Sequence, residues 1–405
     1  MQPEFRRRYN ATYEPARYEN YVRRLEAQVG RVDFRLAETP VFFETDLVTR
    51  CERAAREIVA QLAEPARLQH LRDAVPARFL GADPGALPQF AVVDFAIARS
   101  PDGGYEPRVV ELQGFPSLYA FEIFQRDAWV AELGAAFPDV DWSACYAGLD
   151  RDAYVELLRR TILGSSAPGD VVLLDVEPAR QKTACDFVAT RALFGVDALD
   201  PRELIVRGKR LYRRDPSGKE RRVERIYNRL VGDDLVRLEA VLPFDLRSDL
   251  DVTWAPHPQW FWTWSKASLP YLDHPAVPRT RLLSDVDELP DDLAERYVLK
   301  PLFSFAGAGV DVHPTRAACA AIAAPQRSGW CLQEKIAYAE GLRTPDGTGV
   351  KVELRVLLLR PDGDAALVPA TNLCRLSRGA MHGVDHNKDL TWVGSSIGLW
   401  EAART

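Results

Sequence analysis

The most informative stretch of the sequence is YVLKPLFSFAGAGV, residues 297–310, in which an apolar run ends at Lys300 and small residues follow. Small side chains let backbone N–H groups approach an anion closely, and successive N–H groups in such a loop form a concave anion site. A lysine beside the loop adds a charge that a phosphate can use. We therefore predict a phosphate-binding loop in which Lys300, Ser304, Gly307 and Gly309 contact the ligand.

Two common phosphate-binding patterns do not describe this stretch. No lysine followed by serine or threonine closes the glycine run, as a P-loop requires. No helix start follows with the spacing of a dinucleotide-binding fingerprint. A plain hairpin with a glycine turn and an exposed lysine is the alternative, and the stretch alone leaves both interpretations open.

A second polar strand end lies downstream. Residues 330–336 read WCLQEKI, an apolar strand that carries polar groups where it leaves the core. Such a segment can offer hydrogen bonds to the edge of an adenine and apolar walls to its faces. Upstream, Ser265 and Lys266 precede an apolar segment and the sequence VPRT at 277–280.

Oxygen ligands for a metal ion occur on a predicted hairpin far upstream. Strands at 90–98 and 108–113 flank the turn 101–104. Side chains alternate along a strand, so Glu111 and Gln113 share a face, and Asp94 can approach Glu111 across the hairpin. Carboxylate and amide oxygens suit magnesium.

The residues alone leave a second interpretation of these carboxylates open. Arg99 and Arg108 are close in sequence and can serve as counterions in a salt-bridged strand pair. On that interpretation the hairpin binds no metal ion.

The order of these motifs resembles the ATP-grasp superfamily. Lys266 corresponds to the first ATP lysine and Lys300 to the second, and Gln333, Glu334 and Ile336 correspond to the segment that takes adenine. This resemblance covers residues 257–376 and implies ATP as the nucleotide.

In the circularly permuted ATP-grasp group, typified by the synthetase domain of glutathionylspermidine synthase, the metal-binding strands precede the ATP lysines in the chain. The order of carboxylates and lysines in this sequence resembles that group. The segments that carry this resemblance are ELQGFPSL (111–118), IYNR (226–229) and HPQWFWTWSKASLP (257–270). The resemblance implies that Asp94, Glu111 and Gln113 bind Mg²⁺. Two departures stand out: Gln113 replaces an asparagine, and the C-terminal part around 353–355 and 375–379 differs from that family, so its substrate is not carried over.

Three arginines are candidates for stabilising a transferring phosphoryl group: Arg229, Arg355 and Arg375. A planar, permanently charged guanidinium suits that task, although a single arginine is more often a surface charge. His382 and His386 have the spacing of a helical zinc pair, but the nearby glycines argue against a helix. We expect a polar loop there, within 377–399, which can cover substrate.

The resemblance implies a mixed α/β fold with an ATP-grasp core in permuted order. It also implies a ligase that joins a small-molecule or peptide carboxylate to an amine, or to a thiol, through an acyl phosphate. Two alternatives remain open: a kinase of the same fold, and a nucleotide-binding protein without catalysis. We expect a helical region with the metal-bearing strands at 1–164, an α/β middle domain at 165–256 with a βαβ unit, and an ATP-binding lobe at 257–405.

Composition limits the classes of partner. The 405 residues carry a formal net charge of −6, and acidic residues interrupt the basic stretch at 207–229, so we expect a solvated hairpin there and no nucleic-acid partner. A rim for an anionic substrate is the alternative for this stretch. The six cysteines form no C-x-x-C pair, which favours free thiols in a reducing cytoplasm. No signal peptide or membrane span is evident, and the oligomeric state stays open.

Overall fold

A computed structural model describes residues 1–75, 77, 80–232, 242–304, 309–379 and 390–402. Within these residues the α-helices are α1 Pro3–Ala11, α2 Pro15–Val29, α3 Thr45–Leu62, α4 Pro65–Asp73, α5 Phe121–Leu133, α6 Arg151–Leu163, α7 Ala184–Phe194, α8 Trp260–Thr263, α9 Leu293–Arg296 and α10 Arg316–Ala321. The β-strands are β1 Val41–Phe42, β2 Phe90–Arg99, β3 Tyr105–Gln113, β4 Trp142–Ser143, β5 Val171–Leu174, β6 Asp197–Leu199, β7 Ile205–Arg207, β8 Arg210–Arg214, β9 Glu220–Val223, β10 Arg225–Asn228, β11 Thr253–Ala255, β12 Thr280–Leu282, β13 Tyr297–Pro301, β14 Trp330–Glu334, β15 Glu340–Arg343, β16 Gly349–Leu359, β17 Val368–Ser377, β18 Gly394–Ser396 and β19 Gly398–Glu401.

The largest sheet is antiparallel, in the order β18-β17-β16-β2-β3, with β15 also paired to β16. The predicted hairpin of β2 and β3 is confirmed, and its register sets Asp94 opposite Glu111. On its other side Asp94 lies opposite Arg355 of β16. The largest sheet therefore spans two of the three predicted regions, since strands from 1–164 and from 257–405 share it.

The segment 165–256 contains a smaller parallel sheet in the order β11-β10-β5-β6. Its strands β5 and β6 flank α7, so the predicted βαβ unit is confirmed. Both β5 and β10 are buried along their whole length, as strands covered on both faces are. The charged hairpin is formed by β8 and β9, and β7 pairs with β8 to make a three-stranded antiparallel sheet. Strand β10, expected in that hairpin, belongs to the parallel sheet.

The helical region expected within 1–164 begins with α1 to α4. Periodic apolar residues of α3 face the core: Leu47, Cys51, Ala54, Ala55, Ile58, Val59 and Leu62. Asp46 lies in the first turn of α3, since the helix begins at Thr45.

Helix α5 begins at Phe121, three residues after Leu118. Leu118 has a φ of 65°, which interrupts a right-handed helix. The backbone N–H groups of Leu118, Ala120 and Phe121 all donate to the carboxylate of Asp186 on α7. A carboxylate from another element thus satisfies the free N–H groups at this helix start.

A third sheet, antiparallel in the order β12-β14-β13, carries the predicted phosphate and adenine segments. Lys300 of β13 lies opposite Cys331 of β14. All six cysteines are buried and free, and no described helix is long and apolar enough to cross a membrane.

Glu122 of α5 is a fully buried carboxyl whose Oε1 has no hydrogen-bond partner among the described residues. Burial, with the nearby Asp186, raises its pKa well above the usual value. Its native pKa exceeds the unfolded value of about 4.3, so the unfolded chain binds fewer protons and the wild type loses stability as pH rises above that value. We expect Glu122→Gln to raise the free energy of unfolding by about 1–3 kcal/mol at pH 7.5, measured by urea denaturation.

The gain should vanish near pH 4, where the wild-type carboxyl is neutral in both states. Glu19→Gln, at an exposed position on α2, is the control and should change little at either pH. A Glu122→Gln variant that is less stable than the wild type at pH 7.5 would contradict a neutral buried carboxyl.

Candidate nucleotide-binding site

Lys300 lies near the end of β13, where it joins two sheets. Its buried Nζ donates to Gln333 Oε1 at 2.6 Å and to the carbonyl oxygen of Val110 at 3.2 Å. Gln333 in turn donates through Nε2 to Thr280 Oγ1 at 3.3 Å. Because Val110 belongs to β3 and Gln333 to β14, this one amine links the six-stranded sheet to the sheet that carries the predicted ATP segments.

The charges around Lys300 favour an anion nearby. Burial lowers its pKa below the usual value and the neighbouring Lys266 lowers it further, while Glu111 and Glu353 oppose that shift. Lys266 begins a buried 3-10 helix, and its Nζ donates to the carbonyl oxygen of Ser304. Two buried ammonium groups near one another repel, and an anion between them relieves that repulsion.

A cavity brings these segments together. Its polar lining comes from Glu111, Gln113, Ser265, Lys266 and Ser304. Its apolar lining comes from Leu112, Phe115, Phe261, Trp262, Trp264, Leu302 and Phe303. Acidic oxygens of β3 and the amine of Lys266 therefore border one space, although they lie far apart in the chain.

Asp94, the first expected metal ligand, is fully buried and held by two arginines. Arg355 donates to both carboxylate oxygens, each at 2.7 Å, and Arg375 donates to Oδ2 as well. Burial alone would raise the pKa of Asp94, but the two guanidiniums outweigh it and hold the pKa below its usual value. Both carboxylate oxygens accept hydrogen bonds in this arrangement, and the role of Asp94 as a metal ligand stays a prediction.

The salt-bridged interpretation holds for Asp94, but with different partners from those expected. Arg99 lies over the ring of Tyr105, and Arg108 donates to the carbonyl oxygen of Pro275. The counterions come instead from β16 and β17, which the sequence left unassigned to this hairpin.

Glu111 and Gln113 share one face at the end of β3, as predicted. Gln113 Nε2 donates to Glu111 Oε1 at 2.9 Å, and both residues line the cavity. No group of three or more His, Cys, Asp or Glu side chains within the described ranges is arranged to hold a metal ion. Magnesium commonly takes one or two protein oxygens and completes its shell with phosphate oxygens and water. Glu111 and Gln113 fit that demand, and the part of Asp94 in metal binding stays a prediction.

Glu353 of β16 contacts both Arg375 and Tyr338. It lies opposite Arg375 on β17, with Oε2 3.2 Å from Arg375 Nε, and it accepts a hydrogen bond from the Tyr338 hydroxyl at 2.5 Å. Burial would lower the pKa of Arg375, but Asp94, Glu353 and Glu111 together raise it. Alternation along β16 puts Glu353 and Arg355 on one face, and that spacing is the signal that could have found this cluster.

Arg229 lies behind the wall of the cavity. Its buried guanidinium donates to the Pro116 carbonyl at 2.5 Å and pairs with Asp186 at 3.4 Å. It also lies over the rings of Phe115 and Phe187, at 5.4 and 5.3 Å. These contacts give Arg229 a structural role, and its part in phosphoryl transfer stays a prediction.

The predicted adenine residues are arranged along and beyond β14. Gln333 is buried against Lys300, Glu334 pairs with Arg296 at 2.9 Å, and Ile336 is half-buried. Gly309 adopts a φ of 73°, which favours glycine. Gly307, with the rest of 305–308, lies outside the described residues, as do His382 and His386.

The described helices and sheets make up a mixed α/β fold, in which Lys266 and Lys300 lie near one another. No protein-family model and no curated protein matches the sequence. Among solved structures, a glutathione synthetase-like effector (GSS30) from Globodera pallida, determined in its apo form, is similar over 97% of this chain and 99% of its own. The TM-score is 0.57 and the sequence identity is 12%, so this likeness shows the fold alone.

Removing the Asp94 carboxylate should test its structural role. Asp94→Ala leaves Arg355 and Arg375 buried without their main counterion, so we expect the free energy of unfolding to fall by about 3–5 kcal/mol. The loss should be equal with magnesium and with EDTA. Asp102→Ala, in the exposed turn, is the control and should cost less than about 0.5 kcal/mol. A loss seen only with magnesium present would return Asp94 to the metal site.

Proposed function

We propose that this chain is an ATP- and Mg²⁺-dependent ligase that activates a carboxylate for attack by an amine or a thiol. The observation that carries the proposal is the meeting of Lys266, Ser304, Glu111 and Gln113 at one cavity, with Lys300 tied to the strand that bears Glu111. Cationic and acidic groups that converge on one space suit the binding of a nucleotide phosphate with its counterion.

The proposed reaction has two steps. A carboxylate oxygen of the acceptor attacks the γ-phosphorus of ATP, the bond to the β,γ-bridging oxygen breaks, and ADP leaves. The amine or thiol then attacks the carbonyl carbon of the acyl phosphate, loses a proton, and releases inorganic phosphate. The chain contributes mainly position and charge, as in phosphoryl transfer generally.

Each polar group has a proposed task in this scheme. Lys266 and Lys300 neutralise phosphate charge, and Arg375 is the guanidinium nearest to Glu111 and the most exposed of the predicted arginines, which suits contact with a phosphoryl oxygen. Glu111 and Gln113 would hold Mg²⁺, which supplies charge neutralisation at the phosphates when bound. The likeness to a glutathione synthetase-like effector favours a ligase over a kinase of the same fold.

One observation favours a second candidate, a nucleotide-binding protein without turnover. Both oxygens of Asp94 are engaged by guanidiniums, which leaves Glu111 and Gln113 as the metal ligands of the predicted three. Phosphate release measured across a panel of acids and amines separates the candidates. Release that requires both an acid and an amine supports the ligase, release with the acceptor alone supports a kinase, and binding without release supports the second candidate.

Lys300→Ala should weaken ATP binding at least tenfold in calorimetry, because a buried ammonium group next to the predicted phosphate loop is lost. Lys209→Ala is the control, since Lys209 is exposed, pairs with Asp249 and is absent from the lining of the cavity. We expect that control to bind ATP as the wild type does. Unchanged affinity in a folded Lys300→Ala variant would refute the role of Lys300.

Glu111→Gln should weaken Mn²⁺ binding to the protein–ADP complex at least tenfold, because an amide is a poorer ligand than a carboxylate for a hard cation. Paramagnetic resonance of free Mn²⁺ measures the affinity. Gln113→Asn keeps an amide oxygen and serves as the conservative control, for which we expect a smaller change. A Glu111→Gln variant with wild-type Mn²⁺ affinity would move the metal elsewhere, with Glu353 the next candidate.

A further inference from the structure

One half of the cavity is a wall of aromatic rings beside the phosphate-binding half. Phe115 packs edge-on against Phe261 with centroids 5.8 Å apart, Phe261 against Trp262 at 4.7 Å, and Trp262 against Phe303 at 5.9 Å. These four rings line the same space as Lys266 and Glu111. We call Phe115, Phe261, Trp262 and Phe303 the aromatic wall.

The aromatic wall is held in a fixed relation to the end of β3. The N–H of Gly114, the residue after Gln113, donates to the carbonyl oxygen of Trp264 at 2.6 Å. A Cβ at Gly114 would lie 2.5 Å from the carbonyl oxygen of Trp260, so only glycine permits this approach. The backbone thus joins the acidic end of β3 to the segment that carries Phe261 and Trp262.

The predicted adenine site does not use this wall. Gln333, Glu334 and Ile336 are absent from the lining of the cavity, and Gln333 contacts Lys300 instead. The residues predicted to take the base and the residues of the aromatic wall are therefore separate groups. On the proposed function, the body of the carboxylate substrate is what remains to occupy the wall.

The charges of the cavity restrict that substrate further. Among its described lining residues, Lys266 carries the positive charge and Glu111 the negative one. If Lys266 serves the phosphate, a second carboxylate on the substrate would meet aromatic rings without a cation, and an unpaired charge against apolar surface is strongly unfavourable.

We propose that the acceptor is a monocarboxylate whose body is an aryl or bulky apolar group seated on the aromatic wall. This inference rests on the proposed function, since it assigns the carboxylate to the phosphate-binding half. A phenyl group that leaves water for such a wall should gain tenfold or more in affinity over a methyl group.

Calorimetry on the full chain with ADP and Mg²⁺ tests the proposal with three probes: 3-phenylpropionate, propionate and glutarate. We expect 3-phenylpropionate to bind at least tenfold more tightly than propionate, and glutarate to bind no more tightly than propionate. Phe261 is half-buried, so its truncation should leave the fold intact. Phe261→Ala should weaken 3-phenylpropionate binding at least fivefold with ADP affinity unchanged, and Phe261→Leu should restore most of the loss.

Phe34→Ala is the matched control, because Phe34 is also half-buried but packs against Phe121, which is absent from the lining of the cavity. Its affinity for 3-phenylpropionate should equal that of the wild type. Equal binding of 3-phenylpropionate and propionate, tighter binding of glutarate, or indifference to Phe261→Ala would overturn the inference while ADP still binds. A wild-type chain that binds no nucleotide would overturn the proposed function instead; the same three acids measured without ADP would then still support or overturn an aryl-acid site at the wall.

Discussion

A buried lysine amine between two sheets is the constraint on which the site depends. Lys300 donates to the carbonyl of Val110 on one sheet and to Gln333 on the other, so both sheets must supply oxygen atoms at this point. Its charge is offset by dipoles and by acidic groups at longer range, not by a direct carboxylate contact among the described residues. Such an arrangement is costly without an anion and gains from one, which is what a phosphate site requires.

The arginine cluster beside it balances the charge of a buried carboxylate, Asp94. Asp94 lies in the middle of the six-stranded sheet, where a lone carboxylate would be strongly unfavourable, and Arg355 fixes it with two parallel hydrogen bonds. Arg375 is shared among Asp94, Glu353 and Glu111. Because one guanidinium serves three carboxylates, a change in the position of Arg375 changes the charge next to Glu111 at the end of β3.

The sequence predicts what is local in this structure. The hairpin of β2 and β3 and the facing of Asp94 and Glu111 follow from alternation and a short turn. The partners of Asp94 do not, because they lie 261 and 281 residues away and depend on the registers of β2 with β16 and of β16 with β17. The start of α5 also depends on a distant residue, since the carboxylate of Asp186, which accepts from N–H groups at this helix start, is 68 residues from Leu118. Gly114, which directly follows Gln113, is the local signal that another backbone segment approaches there.

The contacts that hold the two halves of the cavity together are largely made by the main chain. The carbonyl oxygens of Val110 and Ser304 take part without a constraint on their own side chains, and the N–H of Gly114 takes part at a position where only glycine fits. An architecture held in this way tolerates wide change of sequence, which agrees with a shared fold at 12% identity. The aromatic wall, in contrast, is built from side chains. A likeness at 12% identity shows the fold alone, so both halves of the site must be inferred from the residues of this chain.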